Sequence, residues 1–340
     1  MRHLARALLP AFLLVLLCAL PPMARLYAEA NATGRAREST AETNPGSAGM
    51  AAPAEGSGGL FSRGDDSTGE RETRALIQAY PGRIAERAFR DGDWAVRVDD
   101  TWFFWARGRM LPAELREDWE QYASYRFYAY PLRLPEVRRL DEEERRRLEL
   151  RLEAAEQDPP RRHEGFLGAL YQAATRGQTE SGIERVVFLG YPVSVHKALV
   201  EPLAAVERSL QRLAQSNEET REFLEGLKGF AGYNWRAIAG TRSRSYHSYG
   251  IAIDLVPKSY GGLYAYWRWA LPHERQWYSL PYEKRWMVPQ PIVHAFEEQG
   301  FIWGGKWFFF DTMHFEYRPE LLLLARQWRV GQIRQGLQVK

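Results

Sequence analysis

The 340-residue chain contains a single cysteine, Cys18. A fold stabilised by disulfides is therefore excluded, and so is any zinc finger or iron–sulfur site held by cysteines. Hydrophobic residues make up 45% of the chain and aromatic residues 13%, a composition that excludes a disordered protein. Because a single hydrophobic core stops growing near about 250–300 residues, we expect one large domain with tails.

The charges of the chain are nearly balanced, since 46 Lys and Arg stand against 43 Asp and Glu. No block of basic residues stands out from this balance. A nucleic acid is therefore not expected as a partner. We expect the protein to act as a monomer.

The N-terminus has the three parts of a secretory signal peptide. Arg2 and Arg6 provide a positive start, and an apolar run follows over residues 8–20. Small residues then lead to Ala-Glu-Ala at 28–30, which has the form of a cleavage site. We therefore predict a signal peptide over residues 1–30, and a protein that is secreted or held in the periplasm or cell envelope.

Two alternatives for this segment stay open. An uncleaved segment would act as a membrane anchor, and would then be the only part of the chain in contact with a membrane. Cys18 could instead carry a lipid, although Leu17 stands where a small residue is expected. Residues 31–71, rich in Ala, Gly, Ser, Thr and Glu, are predicted to form a disordered linker.

The rest of the chain mixes strands and helices. The predicted elements are a hairpin over 94–98 and 101–106, a short strand over 186–189, and helices over 141–156, 195–213 and 289–299. Ser194 is a candidate cap for the helix over 195–213, and Pro202 could kink this helix or delay its start. Because strands and helices do not alternate regularly, the pattern indicates an α+β fold rather than a doubly wound sheet.

The first segment that suggests chemistry covers residues 245–254, Ser-Tyr-His-Ser-Tyr-Gly-Ile-Ala-Ile-Asp. It begins as a polar turn and becomes an apolar strand at Ile251. Asp254 lies within that strand, where a bare carboxylate would be costly to bury. A metal ion is one of the few adequate partners, and a turn would bring His247 to the same point.

The second segment covers residues 308–317, Phe-Phe-Phe-Asp-Thr-Met-His-Phe-Glu-Tyr. On a strand, His314 and Glu316 face the same side. A turn would bring Asp311 close to His314. His247, Asp254 and His314 together form a two-histidine, one-carboxylate set of the kind that catalytic zinc uses. The alternative for these three residues is a hydrogen-bonded buried network.

These two segments resemble the D-alanyl-D-alanine carboxypeptidase family of zinc peptidases. The resemblance rests on Ser-x-His-x-x-Gly-x-Ala-x-Asp from Ser245 to Asp254, and on Asp-x-x-His-Phe-Glu from Asp311 to Glu316. The family includes VanY-like and L-alanyl-D-glutamate endopeptidase-like enzymes, and its fold is related to those of lysostaphin and hedgehog domains. The resemblance covers residues 185–320. It implies a small antiparallel sheet that carries a zinc site and is flanked by helices.

The resemblance also implies roles for individual residues. The zinc ligands would be His247, Asp254 and His314, and Asp311 would be the catalytic base. The alternative for Asp311 is a carboxylate that only orients His314. Arg236, at the start of a strand predicted over 236–240, would hold the substrate or the oxyanion, with Arg242 as the competing candidate.

Further residues are predicted to contact the substrate or shape the site. Ser245 is expected to make a site-shaping contact. The Trp-Gly-Gly-Lys-Trp stretch over 303–307, with Trp303 as the named contact, is expected to form the wall of a cleft for a sugar–peptide ligand. Glu316 is a candidate substrate contact. It could instead support one of the metal ligands, be a fourth ligand itself, or be a surface residue of the strand. His196 is expected to be a hydrogen-bonded, half-buried structural histidine, and no site role is expected for His273 or His294.

The predicted activity is that of a secreted zinc D-alanyl-D-alanine carboxypeptidase, acting on peptidoglycan stem peptides through a zinc-bound hydroxide. Three alternatives are an L-alanyl-D-glutamate endopeptidase, a non-catalytic zinc-containing module that binds the cell wall, and a structural protein with buried ionic networks. The catalytic core is expected over residues 185–340. Residues 72–184 would form an N-terminal part of the folded region with no assigned role.

Overall fold

The computed structural model describes residues 69–125, 127, 130–159 and 161–327. The predicted signal peptide over 1–30 and nearly all of the predicted linker over 31–71 lie outside the described residues. The first helix, α1 (Glu70–Ala79), begins two residues before the start expected at residue 72.

The N-terminal part of the fold is a helix on a small sheet. After α1 come β1 (Ile84–Arg90), β2 (Asp93–Val98), β3 (Thr101–Phe104) and β4 (Leu111–Pro112), which pair antiparallel in the order β1-β2-β3-β4. Val98 and Thr101 are paired at the turn between β2 and β3, so the predicted hairpin is confirmed.

Three helices follow this sheet. Helix α2 (Glu142–Gln157) begins at a capping box, in which Asp141 accepts a hydrogen bond from the Glu144 backbone and Glu144 accepts one from Asp141 in return. Leu148 is its one buried residue, as expected for a charged surface helix. The short helices α3 (Gly165–Leu170) and α4 (Arg176–Ser181) lead to the next strands.

The helix predicted over 195–213 begins later than expected. Strands β5 (Ile183–Phe188) and β6 (Tyr191–His196) form a hairpin that includes Ser194 and Val195. Helix α5 (Val200–Ser216) starts only after this hairpin, so Ser194 is not its cap. Pro202 lies in the first turn, where its missing N–H has no helical partner to lose. Helix α6 (Glu218–Glu225) follows.

The second sheet carries the two segments singled out in the sequence. Its strands are β7 (Leu227–Ala231), β8 (Ala252–Pro257), β9 (Phe301–Trp303) and β10 (His314–Tyr317), paired antiparallel in the order β7-β8-β10-β9. Helix α7 (Trp267–Ala270) and helix α8 (Gln290–Glu298) lie between β8 and β9. Phe296 of α8 stacks on Phe315 of β10, which fixes this helix against the sheet.

One hydrophobic core joins the two parts of the fold. Buried residues of α1, β2, α3, β6, α5, β8, β10 and α8 belong to a single cluster. A second, smaller cluster joins Leu148 of α2 to Trp267, Trp277 and Phe310. These helices and small antiparallel sheets confirm the α+β class.

None of the helices in the described residues has the length and apolar character needed to cross a membrane.

Candidate metal centre

His247 is held by a short turn just before β8. Residues Tyr246–Tyr249 form a 3-10 helix, and the Ser245 side chain caps it by accepting a hydrogen bond from the His247 backbone N–H at 3.3 Å. The turn ends at Gly250, whose φ of +70° favours glycine. Ser245 is buried and shapes the turn, which is the contact expected from the sequence.

Asp254 and His314 come from neighbouring strands. The two residues are direct partners across the antiparallel pair of β8 and β10. His314 Nδ1 lies 2.8 Å from Asp254 Oδ1, and His247 Nε2 lies 3.2 Å from both of these atoms. The fold therefore brings together the three residues predicted as metal ligands.

The second nitrogen of each histidine ring is already occupied. His247 Nδ1 lies 2.7 Å from the Gly232 carbonyl, and His314 Nε2 lies 3.1 Å from Glu316 Oε1. Because carbonyl and carboxylate oxygens only accept, both of these nitrogens carry the proton in the neutral ring. The lone pairs of the other two nitrogens therefore face Asp254 Oδ1, and three acceptors converge on one point.

This donor set fits zinc. Tetrahedral zinc with ligand bonds near 2.0–2.1 Å spaces its ligand atoms at about 3.3 Å. The three atoms here are 2.8 to 3.2 Å apart. Two imidazole nitrogens and one carboxylate leave a fourth position for water, as in catalytic zinc sites.

The electrostatics of the cluster require a positive charge at its centre. Burial raises the pKa of Asp254, but the charges and hydrogen bonds of His247 and His314 outweigh it and hold that pKa far below its usual range. Burial lowers the pKa of His314, but hydrogen bonds to Asp254 and Glu316 outweigh burial and raise it well above 6.5. Either a proton or a metal cation can supply this charge.

Asp311 lies in the loop that leads into β10. Its backbone N–H donates to the Gly304 carbonyl at 3.0 Å, and its carbonyl accepts from the His314 N–H at 3.2 Å. Burial raises the pKa of its carboxyl to about 7, and the charges of Asp254 and Glu316 add to this effect. Asp311 Oδ1 is buried and has no hydrogen-bond partner within the described part of the chain. Such a carboxylate oxygen is suited to accept a proton from a reactant.

Glu316 lies behind His314, on the ring edge opposite the candidate metal position. Its carboxylate is buried and contacts His314 Nε2, so among the roles considered the structure places it as a partner of a ligand. Burial raises the pKa of Glu316, but the His314 contact and the charges of Arg318 and Arg162 outweigh it and lower that pKa. The predicted substrate contact of Glu316 does not fit this buried position.

Three arginines near the first motif have different surroundings. Arg236 is exposed, and its backbone is held by the Ser248 side chain, so its guanidinium is accessible to a substrate. The predicted strand over 236–240 is wrong, since this stretch is a loop with one isolated bridge between Ala237 and Arg244. Arg242 forms an exposed ion pair with Asp158 at 2.7 Å.

Arg244 is a structural residue. Its guanidinium is buried over the rings of Tyr249 and Trp235, at 3.9 and 4.1 Å from their centroids. It also donates to the Ala173 carbonyl at 2.9 Å and to the Ser248 carbonyl at 3.0 Å. Arg244 therefore fixes the turn that carries His247.

The prediction that Trp303 forms a cleft wall is wrong. Its ring is completely buried, stacks on Phe315, and donates from Nε1 to the Thr312 carbonyl at 2.8 Å. Trp307 is the tryptophan of this loop that lies beside the site, since its ring centroid is 5.7 Å from that of His314. The sequence does not distinguish the two because both flank the same Gly-Gly-Lys stretch.

Three other histidines considered in the sequence lie outside the cluster. His196 is buried, with Nε2 at 2.9 Å from the Tyr171 carbonyl and Nδ1 at 3.2 Å from the Ala198 N–H. His294 is exposed and pairs with Glu298, and His273 is exposed in a turn. His196 is therefore held by structural hydrogen bonds, as predicted for it.

Comparison with known families supports the two-motif interpretation. Residues 239–317 match the family model described as D-alanyl-D-alanine carboxypeptidase. The match confirms the resemblance to this family over this part of the chain, and it indicates a metallopeptidase. Residues 72–127 match a model described as a domain of unknown function (DUF8518). Searches of curated proteins and of solved structures found no match to the chain.

Proposed function

We propose that this protein is a zinc-dependent D-alanyl-D-alanine carboxypeptidase that removes the terminal D-Ala from peptidoglycan stem peptides. The observation that carries the proposal is the convergence of His247 Nε2, Asp254 Oδ1 and His314 Nδ1. Buried Asp311 interacts electrostatically with Asp254 and His314, and its Oδ1 has no partner among the described residues. The family match over residues 239–317 supports a peptidase of this kind.

Zinc, when bound by these three residues, would lower the pKa of a water molecule and polarise the scissile carbonyl. Asp311 accepts the proton of the attacking water as the new C–O bond forms. It then returns that proton to the leaving amine as the C–N bond breaks. Glu316 holds the His314 ring so that Nδ1 keeps its lone pair directed at the ligand position.

Arg236 is the candidate for the substrate carboxylate. It is exposed, and the loop that carries it is tied to the His247 turn through Ser248. A guanidinium matches a carboxylate through two parallel hydrogen bonds. Recognition of a terminal carboxylate at this position would favour removal of a terminal residue.

An internal cut between L-Ala and D-Glu is the second candidate. One observation favours it: the candidate base is an aspartate, Asp311 in Asp-x-x-His. The family resemblance associates this form with the endopeptidase-like enzymes. The same ligands and base would serve both reactions, so only the scissile bond differs.

The stem peptides lie outside the cytoplasm. We therefore also propose that residues 1–30 direct secretion to the periplasm or cell envelope. N-terminal sequencing of the protein recovered from an expressing bacterium tests this, and a mature chain that begins at residue 31 is the expected result.

The activity is tested by mass spectrometry of pentapeptide muropeptides incubated with the zinc-loaded mature protein. Loss of one Ala, abolished by a chelator and by Asp311→Ala, is expected. Cleavage after the first L-Ala would leave the proposed mechanism unchanged and identify the L-Ala–D-Glu bond as the scissile bond. Absence of any cleavage by protein that retains its zinc would overturn the proposal in favour of a binding module.

A further inference from the structure

A tyrosine that the sequence motifs do not include lies beside the metal centre. Tyr260 follows β8, and its ring is fixed between two indoles. It meets Trp286 edge-on with centroids 5.7 Å apart, and Trp269 edge-on at 5.2 Å. Trp286 is buried and Trp269 is 43% exposed, so the ring is held firmly at the border between core and solvent.

The hydroxyl of Tyr260 points toward the second motif. It donates to Met313 Sδ at 2.7 Å, and Met313 directly precedes the ligand His314. A thioether is a weak acceptor, whereas a half-buried tyrosine hydroxyl usually has an oxygen partner. The hydroxyl therefore holds a proton that a better acceptor in the site would receive.

The surrounding charges keep this hydroxyl protonated. Burial raises the pKa of Tyr260 to about 12, and the negative charges of Asp254 and Asp311 add to this effect. Tyr260 is thus within electrostatic range of both a metal ligand and the candidate base. A protonated tyrosine at this place can therefore donate a hydrogen bond without adding a charge to the site.

We infer that Tyr260 is a catalytic residue, whose hydroxyl donates a hydrogen bond to the substrate carbonyl oxygen as that oxygen becomes negative. The inference rests on the proposed peptidase function. As water adds to the carbonyl carbon, the carbonyl π electron pair moves onto the oxygen, and Tyr260 exchanges Met313 for this oxygen as its acceptor. When the C–N bond breaks, the pair returns to the carbonyl and Tyr260 keeps its proton throughout.

The three arginines near the first motif have other surroundings. Arg244 is buried beneath the turn, and Arg242 is paired with Asp158 on the surface. Arg236 is left free for the carboxylate end of a substrate. A tyrosine donor beside the metal would therefore complement Arg236 instead of duplicating it.

The test is Tyr260→Phe in the zinc-loaded mature protein, because this change removes only the hydroxyl and keeps the ring. Tyr191→Phe is the matched control, since the Tyr191 hydroxyl donates to the Leu227 carbonyl at 3.2 Å, away from the centre. Zinc content, kcat and KM on a pentapeptide, and the Kd of a phosphinate dipeptide are measured for each. The phosphinate reproduces the charged tetrahedral oxygen and needs no turnover.

Loss of a single oxyanion donor lowers kcat by about 100-fold or more. We expect that loss for Tyr260→Phe, with KM changed little, zinc content unchanged and phosphinate bound at least about 10-fold more weakly. Tyr191→Phe is expected to match the wild type. A Tyr260→Phe protein with wild-type kcat and phosphinate affinity would overturn this inference alone. A wild-type protein that neither cleaves the peptide nor binds the phosphinate would overturn the proposed function together with it.

Discussion

Asp254 and His314 face each other across the antiparallel pair of β8 and β10, and this pairing places Oδ1 2.8 Å from Nδ1. Two of the three candidate ligands are thus fixed by strand register. A slip of one strand by one residue would turn its side chains to the other face, so that Asp254 and His314 would lie on opposite faces of the sheet. The centre therefore depends on the pairing of these two strands as much as on the residues themselves.

The roles of Asp311 and His314 can be separated by substitution. Asp311→Ala is expected to keep zinc and to lower kcat by about 10²–10⁴-fold, because it removes the proton acceptor. His314→Ala is expected to lose both zinc and turnover. Zinc content by elemental analysis and kcat on the muropeptide are measured for both variants. Near-wild-type turnover of Asp311→Ala would remove Asp311 as the base.

The same carboxyl predicts a pH dependence. Asp311 works as a base only when ionised, so kcat/KM should fall as the pH drops through its pKa. Burial holds that pKa at about 7 before any metal charge is added, and a nearby cation would move it lower. We therefore expect an acidic limb below neutral pH in the kcat/KM profile. A profile that is flat from about pH 5 to about pH 8 would contradict this role.

Glu316 is expected to tune the metal from behind His314. The Glu316 carboxylate fixes the His314 ring and makes that ring more basic. Glu316→Gln removes this negative charge, so zinc should bind about 10–100-fold more weakly. Glu298→Gln is the matched control, because Glu298 forms an exposed pair with His294. Competition with a zinc-binding dye measures both affinities. Equal affinity in the two variants would show that Glu316 does not support the ligand.

Gly250 is expected to be irreplaceable for a steric reason. A Cβ at this position would lie 2.7 Å from the His196 backbone nitrogen and 2.4 Å from Ile183 Cδ1. Gly262 has a similar φ of +79° but open space around it. Gly262→Ala should cost about 1–2 kcal/mol from backbone strain alone. Gly250→Ala should lower the free energy of unfolding by more than this and should also weaken zinc binding. Equal losses of unfolding free energy for the two variants in urea denaturation would contradict the predicted clash at Gly250.

His196 predicts how stability changes with pH. Burial lowers its pKa to about 4 from 6.5, so the unfolded chain binds more protons between these values. The contribution of neutral His196 to the free energy of unfolding is therefore fully present above pH 6.5, and it is lost as the pH falls through 4. Between about pH 8 and about pH 5 the loss would be up to about 2 kcal/mol.

His196→Gln removes this titration, and His294→Gln is an exposed control. Urea denaturation of chelator-treated protein at the two pH values measures the difference for each variant, and acid-sensitive groups common to all variants cancel. We expect the pH-dependent loss to shrink only in His196→Gln. The same loss in all three proteins would refute the assignment.

The candidate ligands were predictable because a polar residue inside an apolar strand is conspicuous. Asp254 and His314 interrupt hydrophobic runs, His247 lies in the polar turn just before the first run, and alternation along a strand places His314 and Glu316 on one face. Trp303 was misassigned because an aromatic residue beside a motif gives the same pattern in a core and in a cleft. Only the packing of Phe315 against it decides between the two.

Other features depend on contacts between distant parts of the chain. The apolar spacing from Val195 onward suits a helix, but pairing of Val195 with Glu184 makes it a strand residue. Tyr260 approaches Met313 only because β8 and β10 are neighbours in the sheet. Neither relationship leaves a local pattern in the sequence.

The hydrogen bond from the Tyr80 hydroxyl to Glu320, 2.7 Å long, bears on how this chain could be shortened. Glu320 also pairs with buried Arg318, which in turn donates to the Tyr246 hydroxyl beside the metal turn. A protein that began at residue 185 would keep every candidate site residue but would lose Tyr80, which is the hydrogen-bond donor to Glu320 in this buried network. The N-terminal part thus contributes to the interior that supports the candidate metal centre, and we expect gene fusions or truncations that treat residues 185–340 as a detachable module to disturb that centre.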